Sequence, residues 1–204
     1  MTGQYYRVYW QHPDYENGID YEIVPGLVEP NLGPNGLPVV SYFGKTYSGP
    51  SGPITDFSPL TGEIRWWQTG TNKSFDKTQV DVTPFAFTDF HTGDPDYFRT
   101  VHWHGTMTAV ESMLHRFSAS SDDDVWVYVD GHLVLDEGGV HWHFDGDSWQ
   151  PLTAGSHALD IFYADRHQTN ATLFFDVTTP EPGSGALLAL GAVAASIRRR
   201  ATRN

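Results

Sequence analysis

The 204-residue sequence has no cysteine, which excludes disulfide staples, thiolate metal centres and a cysteine nucleophile. The body of the chain lacks a sustained 3.6-residue apolar period, so a helical core is not expected there. Basic residues are scarce: 12 Lys and Arg stand against 25 Asp and Glu, a formal charge of -13. Four of those arginines, Arg198, Arg199, Arg200 and Arg203, crowd the C-terminus, leaving residues 1–179 with 8 basic against 24 acidic side chains. Such a surface repels phosphate backbones and argues against nucleic acid as a partner; it suits a cation, a neutral glycan or a basic surface. Also missing are a nucleophile elbow, a phosphate-binding loop and a dinucleotide fingerprint. With 25 acids some pair always meets the spacing a glycosidase requires, so that spacing carries no weight. The expectation is a protein that is not an enzyme.

Aromatics are plentiful at 14%, as are Gly (20) and Pro (13), which together point to an all-β protein with many turns and a single sizeable core. Strands are predicted at 5–10, 38–43, 63–67, 80–87, 98–104, 113–119, 125–130, 132–136, 157–164 and 172–177. Turn-rich stretches such as VPGLVEPNLGPNGLP separate them. This spacing predicts an antiparallel β-sandwich. In DVWVYVDGHLVLD, Val125, Val127 and Val129 point to one face and Trp126 and Tyr128 to the other, so the hairpin is expected to be central and buried on both sides. Asp130-Gly131 is the hairpin turn, since a type I′ turn needs positive φ at both central residues. That makes Asp130 a turn residue more than a ligand.

Three adjacent aspartates, Asp122, Asp123 and Asp124, precede this hairpin. They either cap a loop through Asx turns or share a cation; calcium, a hard ion taking 6 to 8 oxygens, would relieve their repulsion. Successive strand residues point to opposite sides, so Asp122 and Asp123 converge only if the backbone is unusual. The YADRHQTNAT loop supplies further oxygens from Asp165 and Asn170. Arg166 and His167 either contact a ligand or pair with Asp165 and fix the loop. Trp142, Phe144 and Trp149, with Asp145 and Asp147, could line a shallow saccharide site, in which sugar C–H faces stack on indoles and carboxylates take hydroxyls; core packing competes for each tryptophan. Two His-X-His pairs, His102/His104 and His141/His143, are either zinc or iron ligands or simply hydrogen-bonded histidines.

From Pro180 the composition changes to PEPGSGALLALGAVAASIRRRATRN. The Pro180-Glu181-Pro182 step, the apolar Ala/Leu/Gly run and the terminal arginines resemble a PEP-CTERM sorting signal. The resemblance implies export, transient membrane contact through residues 183–197 as a short apolar helix, and removal by an exosortase-type enzyme at a bacterial cell envelope. Twelve apolar residues rise only about 18 Å as a helix, short of the ~30 Å hydrocarbon core. A signal peptide normally accompanies such a tail, and MTGQYYRVYWQHPDYE has no basic segment leading into an apolar one, so the expected leader would lie upstream of Met1.

The blocks HPDYE, GLVEPNLGPNGLPV, SSDDDVWVYVDGHLVLDEGGVH and LDIFYADRHQTNATLFFDV resemble the fibro-slime domain. That domain is similar in turn to the protective-antigen-type β-sandwich of flocculin adhesins, which is also found attached to glycosidases. The resemblance implies a sandwich over residues 1–179 followed by a sorting tail over 180–204. It also implies a calcium held by Asp122 and Asp123 across a cis peptide, with Asp165 and Asn170 completing the shell, and an adhesive or structural role towards extracellular polysaccharide.

Overall fold

The structure, a computed structural model, describes residues 1–9, 12–15, 23–49, 53–69, 77–80, 97–167 and 171–179. Among these, nine strands run β1 (Thr2–Tyr9), β2 (Lys77–Val80), β3 (Tyr97–Ala109), β4 (Met113–Asp122), β5 (Asp124–Val129), β6 (His132–Glu137), β7 (Phe144–Leu152), β8 (Gly155–Asp165) and β9 (Thr172–Thr178). They form a six-stranded sheet in the order β2-β1-β3-β8-β5-β6 and a three-stranded sheet in the order β7-β4-β9. Every pairing is antiparallel. The protein is therefore all-β, with no helix among the described residues.

The two faces of β5 explain the layering. Val125, Val127 and Val129 join Ile161, Leu159 and Phe117 in a core between the sheets. Trp126 and Tyr128 point the other way, into a second core with Phe162, Tyr15, Ile64, Trp66 and Trp67 contributed by β8 and the irregular segments before residue 70. All six β5 residues are buried, as a strand apolar on both faces must be. The hairpin turn has Asp130 at φ 51° and Gly131 at φ 78°, the type I′ pattern. Asp130 also accepts from the Ala158 amide at 2.8 Å and lies 2.6 Å from His157 Nδ1, so the turn is pinned to β8.

The covering layer is organised by His12, Asp14 and Tyr15. The Asp14 carboxylate takes the amides of Thr55 (2.7 Å) and Asp56 (2.9 Å), the Thr55 hydroxyl and the Trp66 indole N–H (2.8 Å). His12 Nε2 lies 3.1 Å from Asp56 Oδ2, and the Tyr15 ring packs against His12, Trp66 and Phe98. A buried carboxylate satisfied on all sides in this way holds irregular backbone in place without a ladder.

Several expected boundaries need correction. Residues 38–43 and 63–67 form only isolated bridges, Val28↔Val40, Val39↔Glu63 and Phe57↔Ile64. The chain turns again at once, and Glu63 spends its carboxylate on the amide (2.7 Å) and side-chain nitrogen (2.6 Å) of Asn35. The hairpin is only half central: β5 lies between β8 and β6, whereas β6 is an edge. Residues 144–152 form a full strand that was not anticipated, because Gly146, Pro151 and two aspartates are poor strand formers. As β7 is an edge strand, it tolerates a proline that cannot donate to a ladder. Of residues 80–87, only Val80 lies within a described strand, and 81–87 lie outside the described residues, as do Trp10 and the tail from Pro180. No helix of the described residues is long and apolar enough to cross a membrane.

Candidate binding site at the aspartate loop

The end of the small sheet meets the start of β5 at Asp122, Asp123 and Asp124. The Asp122–Asp123 peptide bond is cis, as the resemblance implied. The three side chains then do three different things. Asp124 is buried and makes a fork with Arg166: Oδ2 accepts from Nε at 2.6 Å and Oδ1 from Nη2 at 2.9 Å, while Oδ1 also takes the Gly139 amide at 2.6 Å. Asp123 accepts three backbone amides, from His141 (3.0 Å), Arg166 (2.8 Å) and His167 (3.0 Å). It thereby ties the β4–β5 junction to both the β6–β7 and the β8–β9 loops. The Asp122 carboxylate receives no hydrogen bond from the described residues, while its carbonyl accepts from the Tyr163 hydroxyl at 2.5 Å.

Part of the positive charge needed between these aspartates is therefore the protein's own. Arg166 is 1% exposed, sits 5.0 Å over the Trp66 ring and reaches the Asp14 carbonyl at 3.4 Å. This corrects the expectation for Arg166: its guanidinium faces inward and cannot touch a ligand from solvent, and its partner is Asp124 where Asp165 had been considered. The contribution of Asp124 was missed, although an Asp and an Arg flanking two facing loops was the signal available. His167 gives its amide to Asp123 and is half-buried.

One arginine does not neutralise the cluster. Burial, reinforced by Asp124 and Asp122, pushes the Asp123 carboxyl well up from its usual range, against the Arg166 amide and charge. Burial likewise raises Asp122 to about 6, opposed by His141 and His143. Asp165, the last residue of β8, is buried, and its charge, with those of Asp123, Asp122 and Asp124, raises the already desolvated Tyr163. Asp122, Asp123 and Asp165 do not, however, bring three ligand atoms within 4.8 Å of one another. Asn170 lies outside the described residues.

A fifth acid, Glu137, carries no signal in the sequence. Its Oε2 accepts from Ser121 at 3.1 Å, its buried Oε1 has no hydrogen-bond partner among the described residues, and burial lifts its carboxyl to about 7. A Cβ at Gly146 would collide with Glu137 Oε1, so any larger residue there requires the Glu137 side chain to move.

Exposed groups surround this end. Trp142 is 71% exposed in the β6–β7 loop. Asp145 begins the outward row of β7, opposite Ser120. Asp147, two residues along, is bound by Arg116 Nε at 2.5 Å. A shallow groove of about 570 Å³ runs along this outer sheet face, lined by Arg116, Ser118, Asp145, Asp147, Phe174 and Asp176 among others. The two His-X-His pairs do not converge. His141 is buried, with Nδ1 2.8 Å from the Trp142 carbonyl and Nε2 3.2 Å from that of Glu137. His143 Nε2 lies 2.7 Å from Ser120 Oγ. His102 and His104 lie on β3, beside Asp160 of β8.

Two antiparallel sheets packed on a shared core, with loops and carboxylates gathered at one end and a groove beside them, define a β-sandwich. The chain belongs to the PA14 domain family, whose match covers residues 33–183, and residues 178–200 match the PEP-CTERM protein-sorting motif. Among relatives, Protein psiD of Dictyostelium discoideum is 25% identical over 193 residues, covering 78% of this chain and 36% of psiD. Protein psiH of the same organism is 43% identical over 64 residues, 29% of this chain and 9% of psiH. The chain thus spans about a third or less of the length of these relatives. Similar solved structures include the PA14 domain of the MpAFP antifreeze protein, at 12% identity and TM-score 0.40 over 90% of this chain and 86% of that one. A PA14 sugar-binding domain from an RTX adhesin gives 23% and 0.37 over 43% and 50%. The epithelial adhesin 9 A domain of Candida glabrata, in complex with Galb1-4GlcNAc, gives 11% and 0.36 over 87% and 85%.

Proposed function

We propose that this chain is a non-catalytic binding module, exported and held for a time at a bacterial cell envelope by its sorting tail, that recognises extracellular polysaccharide at the aspartate-loop end. The observation that carries this reading is the Asp122–Asp123 pair. One carboxylate stitches two loops to the strand start, and the other, raised to about 6, receives no donor from the described residues. Four acids there, Asp122, Asp123, Asp124 and Asp165, face one buried arginine, an imbalance a dication relieves. We assign that role to calcium, with Asp122 as the principal ligand and Asp165 and Asn170 as further oxygens. Three of the roughly four acceptor positions of the Asp123 carboxylate are already filled by amides, so its share is at most one bond.

The fibro-slime resemblance and membership of the PA14 family support a glycan as partner, with Trp142 and Asp145 beside the ion as contact groups. Pro180, Glu181 and Pro182 would be read by an exosortase-type enzyme. A second reading, a structural matrix protein in which the ion only stiffens the sandwich, is favoured by the three amides on Asp123. A glycan array probed in calcium and in chelator separates them. Calcium-dependent retention on particular glycans supports recognition, whereas no retention from a folded, calcium-binding protein supports the structural reading.

A further inference from the structure

A second cluster lies away from the aspartate loop, on the face of β3 and β8 opposite the inter-sheet core. Strand alternation puts His102 and His104 on one side of β3. The β3–β8 register sets His104 directly opposite Asp160 and His102 opposite Phe162. The His102 ring stacks on Phe162 with centroids 4.1 Å apart and planes 13° from parallel, which fixes its orientation. His102 Nε2 then lies 2.8 Å and His104 Nδ1 2.7 Å from the same oxygen, Asp160 Oδ1. All three ligand atoms fall within 4.8 Å of one another. His102 and Asp160 are largely buried, at 16% and 11% side-chain exposure, while the His104 side chain is 62% exposed.

We propose that His102, His104 and Asp160 form a binding site for a divalent transition-metal ion, with zinc the best match. Two imidazole nitrogens and one carboxylate oxygen make a donor set that a hard ion such as calcium does not select but zinc, nickel and cobalt do. Zinc–ligand distances of about 2.0–2.2 Å place neighbouring ligand atoms about 3.0–3.5 Å apart, so each histidine nitrogen need move only slightly away from Asp160 Oδ1, from which they now lie 2.8 and 2.7 Å. Rigidity comes from the sheet: all three side chains stand on two adjacent central strands, and one ring is clamped by a stacking partner. Three ligands, one of them the exposed His104 imidazole, leave the remaining coordination positions facing solvent, available to water or to a ligand atom from outside. The site shares no residue with the proposed calcium site, so the two are independent.

The test is titration of the untagged, chelator-treated 204-residue chain with zinc by calorimetry, and with cobalt by visible absorption. One equivalent of zinc with a dissociation constant in the micromolar range or tighter is expected, with cobalt d–d bands. Because His104 is exposed, His104→Ala should fold as wild type by circular dichroism yet bind zinc more weakly by at least the roughly 10- to 100-fold that even outer-shell changes cost. Asp160→Asn, which keeps an acceptor for both histidines but removes the charge, should weaken it similarly. His132→Ala, an exposed histidine elsewhere, should leave it unchanged. Absence of zinc binding up to millimolar concentration, or an unchanged affinity in folded His104→Ala, would overturn the proposal and leave the trio as two imidazole N–H groups donating to one buried carboxylate.

Discussion

Replacing Glu137 by Gln should make the protein more stable at neutral pH and leave it nearly unchanged in acid. Burial raises the Glu137 carboxyl from 4.5 to about 7, so the folded state holds a proton that the unfolded chain has already released. An acid raised in this way contributes its full stability below about 4.5 and loses it as pH rises towards 7. At about 1.4 kcal/mol per pH unit over that window, the loss reaches roughly 3 kcal/mol. Glutamine is fixed in the neutral state and fills the same volume. Its carbonyl oxygen can accept from the Ser121 hydroxyl as Oε2 does now. Asp122, raised to about 6, and His157, raised mainly by its hydrogen bond to Asp130, lose stability over overlapping windows in the same direction. They do so in both proteins, so the difference between variant and wild type isolates Glu137. Urea unfolding in chelator from pH 4 to 8 should show the two curves meeting near pH 4 and separating to roughly 3 kcal/mol in favour of the variant by pH 8. Parallel curves, or a variant less stable at pH 8, would refute the assignment of a buried, protonated Glu137.

Other outcomes follow from the same contacts. Arg166→Met should cost about 3–5 kcal/mol in denaturant unfolding, because it strands a buried Asp124 charge, and Arg166→Lys should recover only part of that, since an ammonium cannot reproduce the two-pronged contact. Asp123→Asn should lower stability by about 1–3 kcal/mol, because whichever side its NH2 takes meets a backbone N–H that has lost its acceptor. Removing residues 180–204 should leave the denaturation midpoint unchanged, as the described sandwich closes with β9; loss of the cooperative transition would contradict this.

The parts of the fold that are periodic were readable in the chain. Alternation of Val with Trp and Tyr in β5 announced two buried faces, and Asp130-Gly131 announced the turn. By contrast β7 was hidden, because its glycine, proline and aspartates are disfavoured in strands in general and tolerated on this particular edge. The covering layer was equally opaque: Asp14 and Glu63 hold irregular backbone through side-chain hydrogen bonds that span long stretches of sequence and have no period. At the candidate site, adjacency of three aspartates showed that charge had to be offset. Only the fold could show that Arg166 offsets one of them from inside, that Asp123 is satisfied by amides, and that the buried Asp122 carboxylate receives no hydrogen bond from the described residues. The pairing of His102 and His104 with Asp160 depends on strand register, which no local pattern reveals.

Calcium titration of wild type and Asp122→Asn, followed by calorimetry and by thermal unfolding, tests the central claim most directly. Wild type should bind one calcium and gain stability as RT ln(1 + [Ca]/Kd), about 2.7 kcal/mol at a hundredfold excess. Asp122→Asn removes a desolvated charge, so without calcium it should be at least as stable as wild type above pH 6, while its calcium response should be lost. Wild-type protein that neither binds nor is stabilised by millimolar calcium, or a variant that responds as wild type does, would contradict the account.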